Sequence, residues 1–356
     1  MKTIVSVIGT RPQFIKVAPI AYSLHKRYHH ILIHTGQHYD YQMSRTFFKE
    51  LDIPKPEKNL GIASTLHGEQ TGRMLIRLEQ VLLKEKPNLV IIYGDTNSTL
   101  AGALAASKLH IPVAHIEAGM RSYNKMMPEE QNRIIADHLS DICFCSSSIS
   151  ANNLRKENIK RNIYIVGDVM LDTLRYAVKK TRNDAAFLKS HKLALRGYIL
   201  VTVHRAGNVD HKERLASIVN ALNQCNKKVV FPVHPRTRNN LKKFKLLPRL
   251  HKRNILLLEP VSYMNMLKLE KSAEMILTDS GGVQKEAYFL KTPCVTLREE
   301  TEWVETVKNG WNTLVGTNTK TIVKIISGLK KPSHYLPLYG NGKASAKITN
   351  VINRFL

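Results

Sequence analysis

The chain has 356 residues, 43% hydrophobic, with 54 Lys and Arg against 28 Asp and Glu, a formal charge of +26. That length and apolar share fit two medium domains with ordinary cores and exclude disorder as the main state. No run approaches the roughly 20 apolar residues that span a bilayer, and the lysines are spread over nearly every helical segment without interleaved stacking aromatics, which argues against a nucleic-acid partner.

In chain order, the N-terminal run TIVSVIG ends in Gly9 and Arg11 without a cleavage pattern, so it predicts a buried first strand and not a signal peptide. The helical pattern PQFIKVAPIAYSLHKRY follows. After it come the β-rich HHILIHTG, the helical GEQTGRMLIRLEQVLLKEK, the strand NLVIIYGD, the helix TLAGALAASKLH, and the strands IPVAHIEAG, DICFCSS and NIYIVGD. Alternating β and α units of this kind predict a parallel sheet covered on both faces. A polar, lysine-rich stretch over 181–196 separates them from a second series, YILVTVHR, KKVVFPVHP, NILLLEP, EMILTDSGG and TPCVTLREE. We therefore expect a first α/β domain over 1–180, a second over 181–335, and a helical segment over 336–356 that packs back toward the first. Cys143, Cys145, Cys225 and Cys294 give neither a disulfide framework nor a zinc spacing, which suits a reducing cytoplasm.

Most of these strands end in a polar or charged group followed by a turn, and ligands of open α/β sheets bind at the carboxyl ends of strands. The rim segments are GTRPQFIK (9–16), TGQHYD (35–40), YGDTNST (93–99), HIEAGMRSYNKMMPEEQNR (115–133), GDVMLD (167–172), VHRAGN (203–208), VHPRTR (233–238) and DSGGVQKEA (279–287). The last opens a helix: Ser280 can cap it, Gly281 and Gly282 let a ligand approach the backbone, and the helix N-terminus favours an anion. A phosphate seat and an ordinary capped helix both fit, and the segment is neither a Walker loop nor a dinucleotide turn. Arg11, Lys16, His204 and Arg205 supply positive groups for a diphosphate. Asp95, Glu117 and Glu129 are the candidates for proton transfer, although Asp95 could cap the helix near Asn97 and Glu129 could serve a first helical turn. His38, His115 and His234 also sit at strand ends, but no spacing groups them as metal ligands, and no metal is expected. The residues alone therefore indicate an enzyme with an anionic, nucleotide-like substrate between two α/β domains.

The ordered blocks GTRPQFIKVAP, TGQHYD, YGDTNSTLAGALAA, HIEAGMRS with MPEEQNR, VGDVMLD, DSGGVQKEA, TLREETEW and YGNGKA resemble those of non-hydrolysing UDP-N-acetylglucosamine 2-epimerases over nearly the full length. The resemblance implies a GT-B arrangement of two Rossmann-like domains with an interdomain cleft, a homodimer, and a cytoplasmic role in polysaccharide and cell-envelope biosynthesis. It implies inversion at C2 of a UDP-linked N-acetylhexosamine, through elimination of UDP to a 2-acetamidoglucal and re-addition, without a cofactor. Carried over by motif, Asp95, Glu117, Glu129 and His204 would be catalytic. Arg11, Lys16, Arg121, Ser280, Gly281, Gly282 and Glu286 would bind substrate, with Glu286 accepting from the ribose hydroxyls. The chain departs from the family at Gly207, where a Glu tied to activation by a second substrate is usual, and at Trp303 and Val304, where many members have Arg-Pro. QKEAYFL and LREETEWVE look closer to the branch acting on UDP-2,3-diacetamido-2,3-dideoxy-glucuronate. A GT-B glycosyltransferase is the rival reading, but three acids gathered around one hexosamine do not suit it.

Overall fold

The structure is a computed structural model that describes residues 1–37, 41–63, 65–181 and 185–356. In chain order its elements are β1 (Thr3–Ile8), α1 (Arg11–Leu24), β2 (His29–His34), α2 (Tyr41–Glu50), β3 (Lys58–Asn59), α3 (His67–Glu85), β4 (Leu89–Tyr93), α4 (Asn97–Lys108), β5 (Val113–Ile116), α5 (Pro128–His138), β6 (Ile142–Cys145), α6 (Ser148–Lys156), β7 (Ile163–Ile165) and α7 (Val169–Lys180). There follow α8 (Ala186–Ser190), β8 (Ile199–Thr202), α9 (Ala206–Val209), α10 (Lys212–Gln224), β9 (Val229–Pro232), α11 (Pro235–Lys243), a 3-10 turn (Leu247–Leu250), β10 (Ile255–Leu258), α12 (Tyr263–Ser272), β11 (Met275–Thr278), α13 (Gly281–Phe289), β12 (Cys294–Thr296), α14 (Val304–Lys308), β13 (Asn312–Leu314), α15 (Thr319–Gly328) and α16 (Ala344–Phe355).

These divide into two compact units, Met1–Tyr176 with Pro337–Leu356, and Ala177–Leu336. The first holds a seven-stranded sheet in the order β3-β2-β1-β4-β5-β6-β7, and the second a six-stranded sheet in the order β10-β9-β8-β11-β12-β13. All the strand pairs are parallel. Each sheet thus reverses its winding once, between β1 and β4 and between β8 and β11, which is the doubly wound pattern whose ligand crevice opens at the reversal. The central strands are buried along their length, as in LVIIY of β4 and MILT of β11. Helices cover both faces, so these strands read as continuous apolar runs instead of alternating ones.

Helix ends carry the sequence's specific choices. Thr10 caps α1: its backbone N–H and that of Gly9 both donate to Gln13 Oε1, at 3.1 and 2.7 Å. Pro19 inside α1 cannot donate to the Ile15 carbonyl, and the Thr173 hydroxyl of α7 takes that place at 2.6 Å. The N-terminus of α16 is capped by a carboxylate from another helix: Asp172 of α7 accepts from the Ala344 and Ser345 backbone N–H groups and the Ser345 hydroxyl. No helix among the described residues is long and apolar enough to cross a membrane.

Candidate active site

In the first unit the β1–β4 reversal brings the 9–16 and 93–99 segments side by side. Gly9 is required there, because a Cβ would lie 2.2 Å from both Ser98 Oγ and Thr35 Oγ1. The Gln13 side chain bridges the two segments, donating to the Tyr93 carbonyl at 2.8 Å and facing Thr99 Oγ1 at 3.1 Å. This fixes α1 so that Lys16 reaches the end of β5, where its buried ammonium pairs with the Glu117 carboxylate. Gly94, at φ +64°, passes so close to that pair that a Cβ would sit 2.8 Å from Lys16 Nζ. Glu117 itself holds φ +74°, a left-handed conformation costly for a non-glycine residue and concentrated at functional sites.

Behind Glu117 lies a buried charge network. His115 is fully buried, with Nδ1 2.7 Å from Asp137 Oδ1 and Nε2 2.7 Å from the Gly94 carbonyl. The ring is thus held between the Asp137 carboxylate and the Gly94 carbonyl. Arg121 donates to Asp137, to the Met120 carbonyl and twice to Glu157, at 2.6–2.7 Å. Burial opposes ionisation of Asp137, but His115 and Arg121 together hold it below the usual carboxylate range. Beside this, Glu130 accepts from the Ser122 and Tyr123 N–H groups and from Arg133, and Arg133 pairs with Asp95. Burial works against the Asp95 charge; Arg133 first and Lys16 next outweigh it and keep Asp95 below its ordinary value.

The first unit therefore brings Lys16, Asp95 and Glu117 together, with Arg11 half-buried at the start of α1. Glu129 is the second residue of α5, half-buried, and its side chain makes no hydrogen bond or ion pair to a described residue. Arg121 gives four of its five N–H donors to Asp137, Glu157 and a backbone carbonyl, so its charge holds the 115–133 loop. His38 lies outside the described residues.

In the second unit the β8–β11 reversal joins His204 to the DSGG turn. Asp279, fully buried, accepts from the His204 and Arg205 N–H groups at 3.0 Å and from Asn208 Nδ2 at 3.1 Å. The His204 ring remains partly exposed, with its Nδ1 3.8 Å from Asp279 and its centroid 5.3 Å from that of His234. Ser280 is the N-cap of α13, its hydroxyl accepting from the Val283 N–H at 3.5 Å. Gly281 and Gly282 follow as the first turn, partly exposed, while Glu286 one turn further is 5% exposed. Arg298 pairs with Glu302 through two 3.0 Å hydrogen bonds, and Arg205 stands 4.0 Å from the same carboxylate. The Lys285 ammonium lies 4.1 Å from the Trp303 ring centroid. No group of three or more His, Cys, Asp or Glu among the described residues is arranged to hold a metal.

Asp137 and Gln13 were not singled out by sequence reasoning. A signal existed for the former: Glu130, Arg133 and Asp137 recur at three- and four-residue spacing, which puts alternating charges on one buried face of α5.

The family model described as UDP-N-acetylglucosamine 2-epimerase matches residues 21–353. A Methanococcus maripaludis protein named as a UDP-N-acetylglucosamine 2-epimerase homolog is 52% identical, covering 98% of this chain and 99% of its own. A Pseudomonas aeruginosa UDP-2,3-diacetamido-2,3-dideoxy-D-glucuronate 2-epimerase is 46% identical over 98% of this chain and 99% of its own. The crystal structure of Methanocaldococcus jannaschii UDP-GlcNAc 2-epimerase in complex with UDP-GlcNAc and UDP superposes with a TM-score of 0.92 at 45% identity, covering 99% of this chain and 100% of that one. Two doubly wound parallel sheets, acids gathered at one reversal, a capped glycine turn at the other, and these likenesses make the chain a GT-B enzyme of the UDP-N-acetylglucosamine 2-epimerase family.

Proposed function

We propose that this enzyme inverts C2 of UDP-N-acetylglucosamine to give UDP-N-acetylmannosamine. The C2 proton is removed while the C1–O bond breaks and its electron pair leaves with UDP. The resulting 2-acetamidoglucal is then protonated at C2 from the opposite face as UDP adds back at C1. The sequence is redox-neutral, so it calls for no nicotinamide. The observation that carries this reading is the gathering of Asp95, Lys16 and Glu117 at one strand-end reversal, with Asp95 paired to Arg133 and Glu117 to Lys16.

In this reading Asp95, Glu117 and Glu129 handle protons at the hexosamine, and Arg11 and Lys16 face the anionic diphosphate that joins it to the nucleoside. The Gly281 and Gly282 N–H groups at the N-terminus of α13, with Ser280 beside them, take the diphosphate, His204 acts next to it, and the Glu286 carboxylate accepts from the ribose hydroxyls. Arg121 supports the acids from behind. The enzyme works as a cytoplasmic homodimer supplying an N-acetylmannosamine donor for envelope polysaccharides.

A diacetamido-uronate substrate is the second reading, favoured by the Pseudomonas aeruginosa relative. Such a sugar needs a cation for its C6 carboxylate. Of Arg121, Lys125 and Arg298, which could serve, the two arginines are already bound to buried carboxylates and Lys125 is exposed, which favours the simpler sugar. Incubation with UDP-N-acetylglucosamine alone in heavy water tests the proposal: deuterium at C2 and a manno product are expected, and absence of exchange would reject it. A kcat/KM for the diacetamido-uronate 100-fold higher would transfer the assignment to that substrate.

A further inference from the structure

The second unit buries a carboxyl that the proposed reaction leaves unused. Glu270, on α12, is fully buried, with Tyr198 and Cys294 near it. Neither of its carboxyl oxygens receives a donor from a described residue; its backbone carbonyl is the atom that accepts, from the Thr292 hydroxyl at 3.0 Å. The polar group it faces is the carboxyl of Glu286 on α13. The other titratable neighbours are neutral: Tyr198 on β8 donates to the Leu269 carbonyl at 2.7 Å, and burial raises the Cys294 thiol of β12 to about 12. Lys285, beside Glu286 in sequence, has its ammonium over the Trp303 ring.

An ionised Glu270 here would be a bare charge in an apolar core, facing a second carboxylate. Burial, with the charge of Glu286 added, accordingly pushes its pKa well above the carboxylate range. A protonated carboxyl has one O–H donor, and a carboxylate has acceptor capacity for that donor and for two hydroxyls besides.

We propose that Glu270 is a positioning residue for nucleotide binding, its protonated carboxyl donating to Glu286 and fixing the carboxylate that receives the ribose hydroxyls. The inference rests on the reading of Glu286 as the ribose acceptor. Holding Glu286 from the core side settles its rotamer before the nucleotide arrives, so less ordering is left for binding to supply. It also keeps a single negative charge on the pair, on the residue that meets the ligand.

Calorimetry with UDP on the full-length wild type, Glu270→Gln, Glu270→Met and Glu286→Ala, with thermal midpoints for each, tests this. Gln keeps a donor and should bind UDP within about twofold of wild type. Met fills the same volume without a donor and should weaken UDP binding about five- to tenfold, while its thermal midpoint stays level or rises because an apolar side chain replaces a desolvated acid. A purely structural Glu270 would not be rescued by Gln in affinity while Met keeps the midpoint. Wild-type UDP affinity in Glu270→Met beside a weakened Glu286→Ala would overturn the positioning role. Wild-type affinity in Glu286→Ala would overturn the ribose reading of Glu286, and the inference with it.

Discussion

Lys16 from the second turn of α1 and Glu117 at the end of β5 form a buried ion pair across the reversal of the first sheet, with Glu117 in a left-handed backbone conformation. The amine holds the carboxylate in place, while the turn that presents it is held by Gly94 and by the Phe144 carbonyl, which accepts from the Glu117 and Ala118 N–H groups. A strained residue persists only where its surroundings over-determine it, and here Lys16, Gly94 and His115 do so together.

Glu117→Gln, Asp95→Asn and Glu129→Gln should each lower kcat by about 10²- to 10⁴-fold, the usual loss for a positioned acid or base. UDP affinity should stay within about twofold, because the nucleotide is assigned to the other unit. Steady-state kinetics with calorimetry checks both halves; near-normal turnover in all three would remove the acids from the mechanism.

Arg121→Met should destabilise the protein by about 3–5 kcal/mol, the cost of leaving buried carboxylates uncompensated. Denaturant unfolding measures this. If Arg121 contacts substrate instead, stability should hold and KM should rise.

Thr173→Val should cost about 1–3 kcal/mol, since the Ile15 carbonyl would lose the donor that replaces the missing N–H of Pro19. The double variant Thr173→Val, Pro19→Ala should recover most of it by restoring the helical hydrogen bond. Equal losses in the single and double variants would show that the hydroxyl contributes only packing.

Asp95, Asp137 and Glu302 all have folded-state pKa values below their ordinary ones. The native state then binds fewer protons than the unfolded chain, so stability falls as pH falls. The contribution is fully present above the unfolded carboxylate values near about 4 and is lost as pH drops from there through the folded values. Thermal midpoints from pH 7 to 3 should bend downward in that window, and Asp137→Asn should flatten the bend. An unchanged slope in that variant would contradict the pairing.

The strands that run through the middle of each sheet were legible because both their faces are buried, so IIY, VVF and MIL stand out as apolar runs. The edge strands β3 and β13 were not. Lys58–Asn59 and Asn312–Leu314 are two and three residues long and carry no such run; neighbouring strands define them. Strand order was also out of reach, because it depends on which crossover reverses. Asp95 and Glu117 could be read from strand-end position alone. For Arg121 the loop-holding role was legible but its partners were not, since Asp137 and Glu157, which bind it, lie 16 and 36 residues away, and only the folded loop brings them together.

The α16 helix buries Ile348 and Ile352, packs on α1, sets Asn353 2.6 Å from the Tyr28 hydroxyl and takes its cap from Asp172. The second unit is therefore an insertion between two parts of the first. On the ribosome, residues 177–336 emerge as a complete folding unit while the earlier one still lacks a wall, reversing the usual N-terminal-first order of domain completion. Until Ala344–Phe355 is out, the surface of α1 that it covers is exposed, and nascent-chain protease sensitivity should persist in the first unit after it has vanished from the second.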